Sequence, residues 1–197
     1  MGNRSENFNA YFAHLSKITL KGRLYKKYYS SRVLYYCAKS FGSRIVEAGS
    51  GAGNGVLGAY PSVYGLDINP VAVEYCKAKG LNAELINENG SYPVLDATYD
   101  ACILDNVLEH IAEPKMTLDE CYRITKNAGG LIIAVPGRKG FNSDSDHKLF
   151  YDENRLRTLD SRWRLIKIFS MPLFFISEKA SYSMRQYCLV AVYKKLK

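Results

Sequence analysis

The residues able to do chemistry fall in three short stretches. The first is Glu47-Ala-Gly-Ser-Gly-Ala-Gly53, where Gly49, Gly51 and Gly53 alternate directly after the apolar run Arg44-Ile-Val-Glu47. Glycine takes positive φ and lets a ligand approach the backbone without a Cβ in the way. The second is Asp67, which closes the next apolar run, Ser62-Val-Tyr-Gly-Leu66. A carboxylate there can accept two hydrogen bonds from a ribose diol; the plainer role for the same residue is to cap the helix that follows. The third holds two histidines, His110 in Leu108-Glu-His110 and His147 in Asp144-Ser-Asp146-His147-Lys148. Histidine titrates near neutral pH and suits proton transfer, although a lone one is more often structural. A glycine turn between strand and helix, with an acidic residue closing the next strand, implies a nucleoside-containing cofactor.

The elements that must position these residues are legible from periodicity and punctuation. Arg44–Glu47 and Ser62–Leu66 read as the first two strands. A helix follows from Pro70 to Lys79, with proline in its first turn and Gly80 at its end. Asn82–Ile86 and Tyr99–Leu104 read as further strands, and Pro114–Thr125 as a helix. After Gly129-Gly130, the continuous apolar run Leu131–Val135 reads as a strand buried on both faces. Strands separated by helices predict an α/β domain with a mostly parallel sheet covered on both sides. Trp163–Phe169 and Arg185–Tyr193 read as two successive strands with no helix between them, so the last strand is expected to run antiparallel. Residues 1–42 read as an N-terminal helical cap of the same domain, with Leu20, Leu24, Tyr28, Val33, Tyr36 and Cys37 at three- and four-residue steps; residues 43–197 form the core. Its tyrosine stripe, residues 25–36, is expected to pack mainly against the sheet.

Composition narrows the classes. Of 197 residues, 47% are apolar and 23% charged, the balance of a globular chain. No apolar run reaches the roughly 18 residues needed to span a bilayer, and the first residues lack the apolar core of a signal peptide. Five widely spaced cysteines argue against a zinc site or a disulfide framework and predict a reducing, cytoplasmic setting. The net charge of +8 is uneven: residues 1–42 and 161–197 each hold eight Lys/Arg against one Asp/Glu, while residues 43–160 hold eleven against seventeen. Basic ends around an acidic body suggest anionic partners at the periphery.

A dinucleotide fingerprint exists at Gly53-Asn-Gly55-Val-Leu-Gly58, but it begins several residues after the first strand ends. Glu47 would also repel a pyrophosphate. It suits a cationic ligand, such as the ammonium and sulfonium groups of S-adenosylmethionine.

Taken in order, Glu47–Gly53, Gly65-Leu-Asp67-Ile-Asn-Pro70, Tyr99-Asp100-Ala-Cys-Ile-Leu-Asp105-Asn106-Val-Leu-Glu-His110-Ile and Gly129-Gly-Leu-Ile-Ile-Ala-Val-Pro136 resemble the motifs of class I S-adenosylmethionine-dependent methyltransferases, type 11 or 12. The resemblance covers roughly residues 43–160. It implies a Rossmann-like seven-stranded sheet in the order 3-2-1-4-5-7-6 and S-adenosylhomocysteine as product. It also implies that Gly49, Gly51 and Gly53 border the methionine part, with Glu47 reaching its ammonium directly or through water. Asp67 would hold the ribose hydroxyls, Ile68 would pack on the adenine, and Glu88, or its neighbour Asn87, would meet the adenine edge. Asn106 would stand near the transferred methyl.

The expected acceptor is a small molecule or a lipid- or glycan-linked hydroxyl, with His147 and His110 as candidate catalytic groups. No Asp/Asn-Pro-Pro-Tyr/Phe sequence follows the fourth strand, which disfavours methylation of nucleic-acid bases; an RNA substrate held by the basic ends is the alternative. No metal is expected, since Asp144, Asp146 and His147 on one loop make a weak ligand set. A monomer or homodimer is expected. Two further readings are an NAD(P)-dependent oxidoreductase and a binding module that has lost catalysis. The loop Met171–Ile176, under the N-terminal helix, is expected to form the acceptor entrance, with Arg23 and Lys26 at its rim.

Overall fold

A computed structural model describes Phe8 and residues 20–196. Its centre is a seven-stranded sheet: β1 Ile45–Ala48, β2 Tyr64–Asp67, β3 Ala83–Leu85, β4 Tyr99–Asp105, β5 Thr125–Pro136, β6 Trp163–Met171 and β7 Cys188–Lys195, in the order β3-β2-β1-β4-β5-β7-β6. β1 to β5 pair in parallel, while β7 is antiparallel to both β5 and β6. The order and the reversed last strand are those expected from the sequence.

The apolar run of β5 explains why the sheet needs cover on both faces. Leu131, Ile133 and Val135 pack on one side with Cys102, Leu104, Leu189 and Ala191. Ile132 and Ala134 pack on the other with Ala101, Ile103, Val190 and Val192. Alternate side chains of one strand point to opposite faces, so a strand without polar positions must be buried twice.

Around the sheet lie α1 (Leu20–Tyr25), a π-helical turn (Lys26–Ser30), α2 (Ser31–Lys39), α3 (Val56–Ala59), α4 (Pro70–Ala78), α5 (Lys115–Ile124), α6 (Arg138–Phe141), α7 (Glu153–Arg157) and α8 (Glu178–Ser183). Leu34, Cys37 and Ala38 of α2 cover one face, and Leu118, Cys121 and Ile124 of α5 the other. Among the described residues, no helix is long and apolar enough to cross a membrane.

Two expectations need correction. β6 and β7 are not joined without a helix: α8 lies between them, opened by Ser177, whose Oγ accepts the Ala180 N–H at 3.2 Å. The tyrosine stripe also divides. Tyr28 and Tyr36 face solvent, Tyr35 stacks on Tyr60 with centroids 3.7 Å apart, and Tyr25 stacks on Tyr29 at 5.3 Å. A helix on a sheet buries only one stripe, and five tyrosines over twelve residues exceed it.

Candidate active site

The first part of the site forms where β1 runs into the glycine turn. Gly49, Gly51 and Gly53 all have positive φ, at 77°, 52° and 66°. A Cβ on Gly49 would stand 2.5 Å from Cγ2 of Val107, in the loop after β4, so the two loops touch. Glu47 is buried, with Oε1 accepting the Val56 N–H at 3.1 Å and Oε2 the Leu57 N–H at 2.7 Å. It thereby fixes the start of α3, and each oxygen keeps a further lone pair for an ammonium or water. Burial pushes its carboxyl up to about 7; Asp105 adds to this, and the two amides and Lys26 oppose it.

Asp67 ends β2 with its carboxylate turned to the glycine turn. Oδ2 accepts the Gly51 N–H at 2.7 Å and Oδ1 the Asn69 N–H at 2.8 Å. Burial raises its pKa and these amides pull it back. The cap of α4 is Asn69, which accepts from Val71 and Ala72, so the helix does not need Asp67 for that task. Ile68, next to this buried carboxylate, is 63% exposed, an apolar side chain left uncovered. Glu88 lies exposed in the turn after β3, with Asn87 tied to Ser91.

The second part lies at the carboxyl end of β4. Asn106 takes positive φ (56°), a conformation asparagine tolerates. Its Nδ2 donates to Asp105 Oδ1 at 2.7 Å, and the Cys188 thiol lies 3.9 Å from its Oδ1. Lys26 of the π-helical turn pairs with Asp105 Oδ2 at 3.5 Å, where the sequence suggested a place at the entrance rim; the Arg23 side chain lies outside the described residues. Tyr29 completes the cover, donating its hydroxyl to the Pro172 carbonyl at 2.9 Å and meeting Phe174 edge-on at 6.1 Å. π-helical turns often mark functional segments, and this one aims Lys26 and Tyr29 at two loops.

The structure brings His110 and His147 together, with ring centroids 4.6 Å apart. The stitching is backbone: the Glu109 carbonyl accepts the Lys148 and Leu149 amides at 2.7 and 3.1 Å. Burial and the neighbouring His147 lower the His110 pKa, against Asp146. Glu109 is 1% exposed, and neither of its carboxylate oxygens accepts a hydrogen bond from another described residue. Burial pushes its carboxyl up to about 8. Sequence reasoning gave Glu109 no role; the available signal was its place beside His110, after a strand adjacent to the one that leads to His147.

Residues 46–133 match the family model of the methyltransferase domain. Over these residues the chain is similar to S-adenosylmethionine-dependent methyltransferases of the type 11 branch. A probable S-adenosylmethionine-dependent methyltransferase of Mycolicibacterium smegmatis is 27% identical over 122 residues, 60% of this chain and 46% of that one. The chain thus spans less than half the length of the curated relatives it matches. The fold recurs in a chain from the complex between the Haloferax volcanii Trm112 methyltransferase activator and a methyltransferase (TM-score 0.67, 18% identity, covering 96% of this chain and 98% of that one). It recurs also in an S-adenosylmethionine-dependent methyltransferase of Aquifex aeolicus (0.63, 20%, covering 95% and 98%). The cofactor of this family is S-adenosylmethionine. The positive-φ glycines, the buried Asp67 and the uncovered Ile68 fit its methionine, ribose and adenine parts.

Proposed function

We propose that the protein transfers a methyl group from S-adenosylmethionine to a hydroxyl of a small-molecule, lipid-linked or glycan-linked acceptor. When bound, the cofactor supplies an electrophilic methyl: a C–O bond forms to the acceptor as the C–S bond breaks, and its electron pair stays on a now neutral sulfur. The chain's residues hold the partners in line and exclude water. Asp67 takes the ribose diol, Ile68 the adenine face and Glu88 the adenine edge. Gly49, Gly51 and Gly53 leave room for the methionine part, and Glu47 meets its ammonium. Asn106 stands at the transferred methyl, and the His110–His147 pair receives the acceptor's hydroxyl proton. The observation that carries this reading is the contact of Val107 with the glycine turn, which sets the histidine pair a few residues from the cofactor loop.

The acceptor's body has a candidate seat. A groove of about 650 Å³ is lined by Tyr29, Arg32, Lys167, Phe169 and Phe174, among others. An apolar floor with two cations suits an acceptor with an apolar part and an anionic part, such as a phosphate-bearing carrier lipid. The exposed Tyr28 and Tyr36, with Arg32 over the Tyr36 ring at 5.9 Å, support the RNA alternative, because aromatic and basic side chains also make a stacking platform. Incubating the protein with methyl-labelled S-adenosylmethionine and fractionated cell extract decides between them. Alkali-stable label on a lipid, glycan or metabolite supports the proposal, and label recovered in RNA overturns it.

A further inference from the structure

We propose that Glu109, His110 and His147 form a binding site for one divalent first-row transition-metal cation. One ligand atom from each lies within 4.8 Å of the others, and this set stands out among the described residues. Two imidazoles and one carboxylate form a nitrogen–oxygen donor set of the kind such ions prefer, and are too nitrogen-rich for magnesium or calcium.

Glu109 gives the independent reason. Its carboxylate is almost wholly buried, yet no other described residue donates to either oxygen. A buried carboxylate without hydrogen bonds is costly, and buried charges are normally paired or bound to metal. The charged groups around it relieve it only in part: Asp105 and Asp144 have the same sign, and Lys26, which acts the other way, is paired with Asp105.

The surroundings of the histidines point the same way. The Phe141 carbonyl lies 2.8 Å from His147 Nδ1. A carbonyl can only accept, so Nδ1 carries the proton and Nε2 the lone pair. The Phe141 ring stacks on the imidazole at 5.2 Å and fixes its plane. Behind His110, the Asp146 carboxylate lies 3.1 Å from Nδ1. A carbonyl or carboxylate behind one ring nitrogen is the usual support of a metal-ligating histidine, since it sets the tautomer and makes the other nitrogen more basic. The ligands come from the loops after β4 and β5, stitched by the Glu109 carbonyl, so the three are positioned without the ion.

This deepens the hydroxyl-transfer reading and rests on that reading for its purpose: with an ion bound, the two histidines serve as ligands in place of proton acceptors, the cation lowers the pKa of the acceptor hydroxyl, and the proton leaves to water. Its existence is separable from that purpose. The full chain, stripped with a chelator and dialysed, is titrated with Co²⁺, Mn²⁺ and Zn²⁺ by calorimetry. Visible absorption follows Co²⁺, and S-adenosylhomocysteine binding is measured on the same samples. One equivalent of ion per chain is expected, with Glu109→Gln and His147→Ala each weakening it about tenfold to a hundredfold. Both variants are expected to keep their circular dichroism. Stoichiometric binding by neither the wild type nor any refolded sample overturns the site, as does unchanged affinity in both variants. Loss of S-adenosylhomocysteine binding with ion binding intact would instead count against the methyltransferase reading alone.

Discussion

Lys26 Nζ lies 3.5 Å from Asp105 Oδ2, tying the N-terminal cap to the carboxyl end of β4. The Asp105 side chain is 2% exposed and that oxygen accepts no hydrogen bond from a described residue, so the ammonium is what compensates it. Asp105 in turn raises the Lys26 pKa. Lys26→Met is expected to destabilise the fold by about 1–3 kcal/mol, the cost of stranding a buried polar group. Adding Asp105→Asn should recover part of the loss. Denaturant melts of the two single variants and the double variant check this; additive losses would remove the pair.

Asp67→Ala is expected to weaken S-adenosylhomocysteine binding by about 1.5–3 kcal/mol, the range for hydrogen bonds to a charged group. The variant also frees the Gly51 and Asn69 amides, so Asp67→Asn, which keeps an acceptor oxygen, should lose less. Calorimetry on folded protein reads both. Unchanged affinity in the alanine variant would take Asp67 out of the cofactor site.

Much of this was readable from the chain. Gly129-Gly130 before an unbroken apolar run announced a central strand, and Pro70 with Gly80 bracketed α4 to within two residues. The helix α8 was hidden because Glu178–Ser183 is short and lacks an apolar period; only Ser177 marked its start. The meeting of Glu109 with His147 was hidden for another reason. It depends on two loops joined through the Glu109 carbonyl, and no local pattern encodes a contact between residues 38 positions apart.

Burial sets a pH signature on Glu47. Its folded pKa of about 7 lies above the ordinary 4.5, so the folded state holds more protons between those values. By linkage this contribution is fully present below about pH 4.5 and is lost as pH rises to about 7. The change is on the order of 3–4 kcal/mol. Glu47→Gln should flatten that part of the stability profile between about pH 4.5 and 7; an equal slope in the variant would reject it.

Phe174 meets Tyr29 and stacks on Phe169 at the edge of the aromatic groove. Replacing Phe174 and Phe175 by serine should raise the acceptor KM about tenfold to a hundredfold, as expected from about 1.5–3 kcal/mol of lost aromatic burial. The cofactor Kd should stay nearly constant. Constancy of both would place the acceptor elsewhere.

Cofactor choice tests the whole account most directly. Calorimetric titration of the purified chain with S-adenosylmethionine, S-adenosylhomocysteine and NAD(H) should show one equivalent of each sulfur ligand bound at the micromolar level and no heat from NAD(H). A folded chain that binds NAD(H), or that binds neither sulfur ligand, would contradict it.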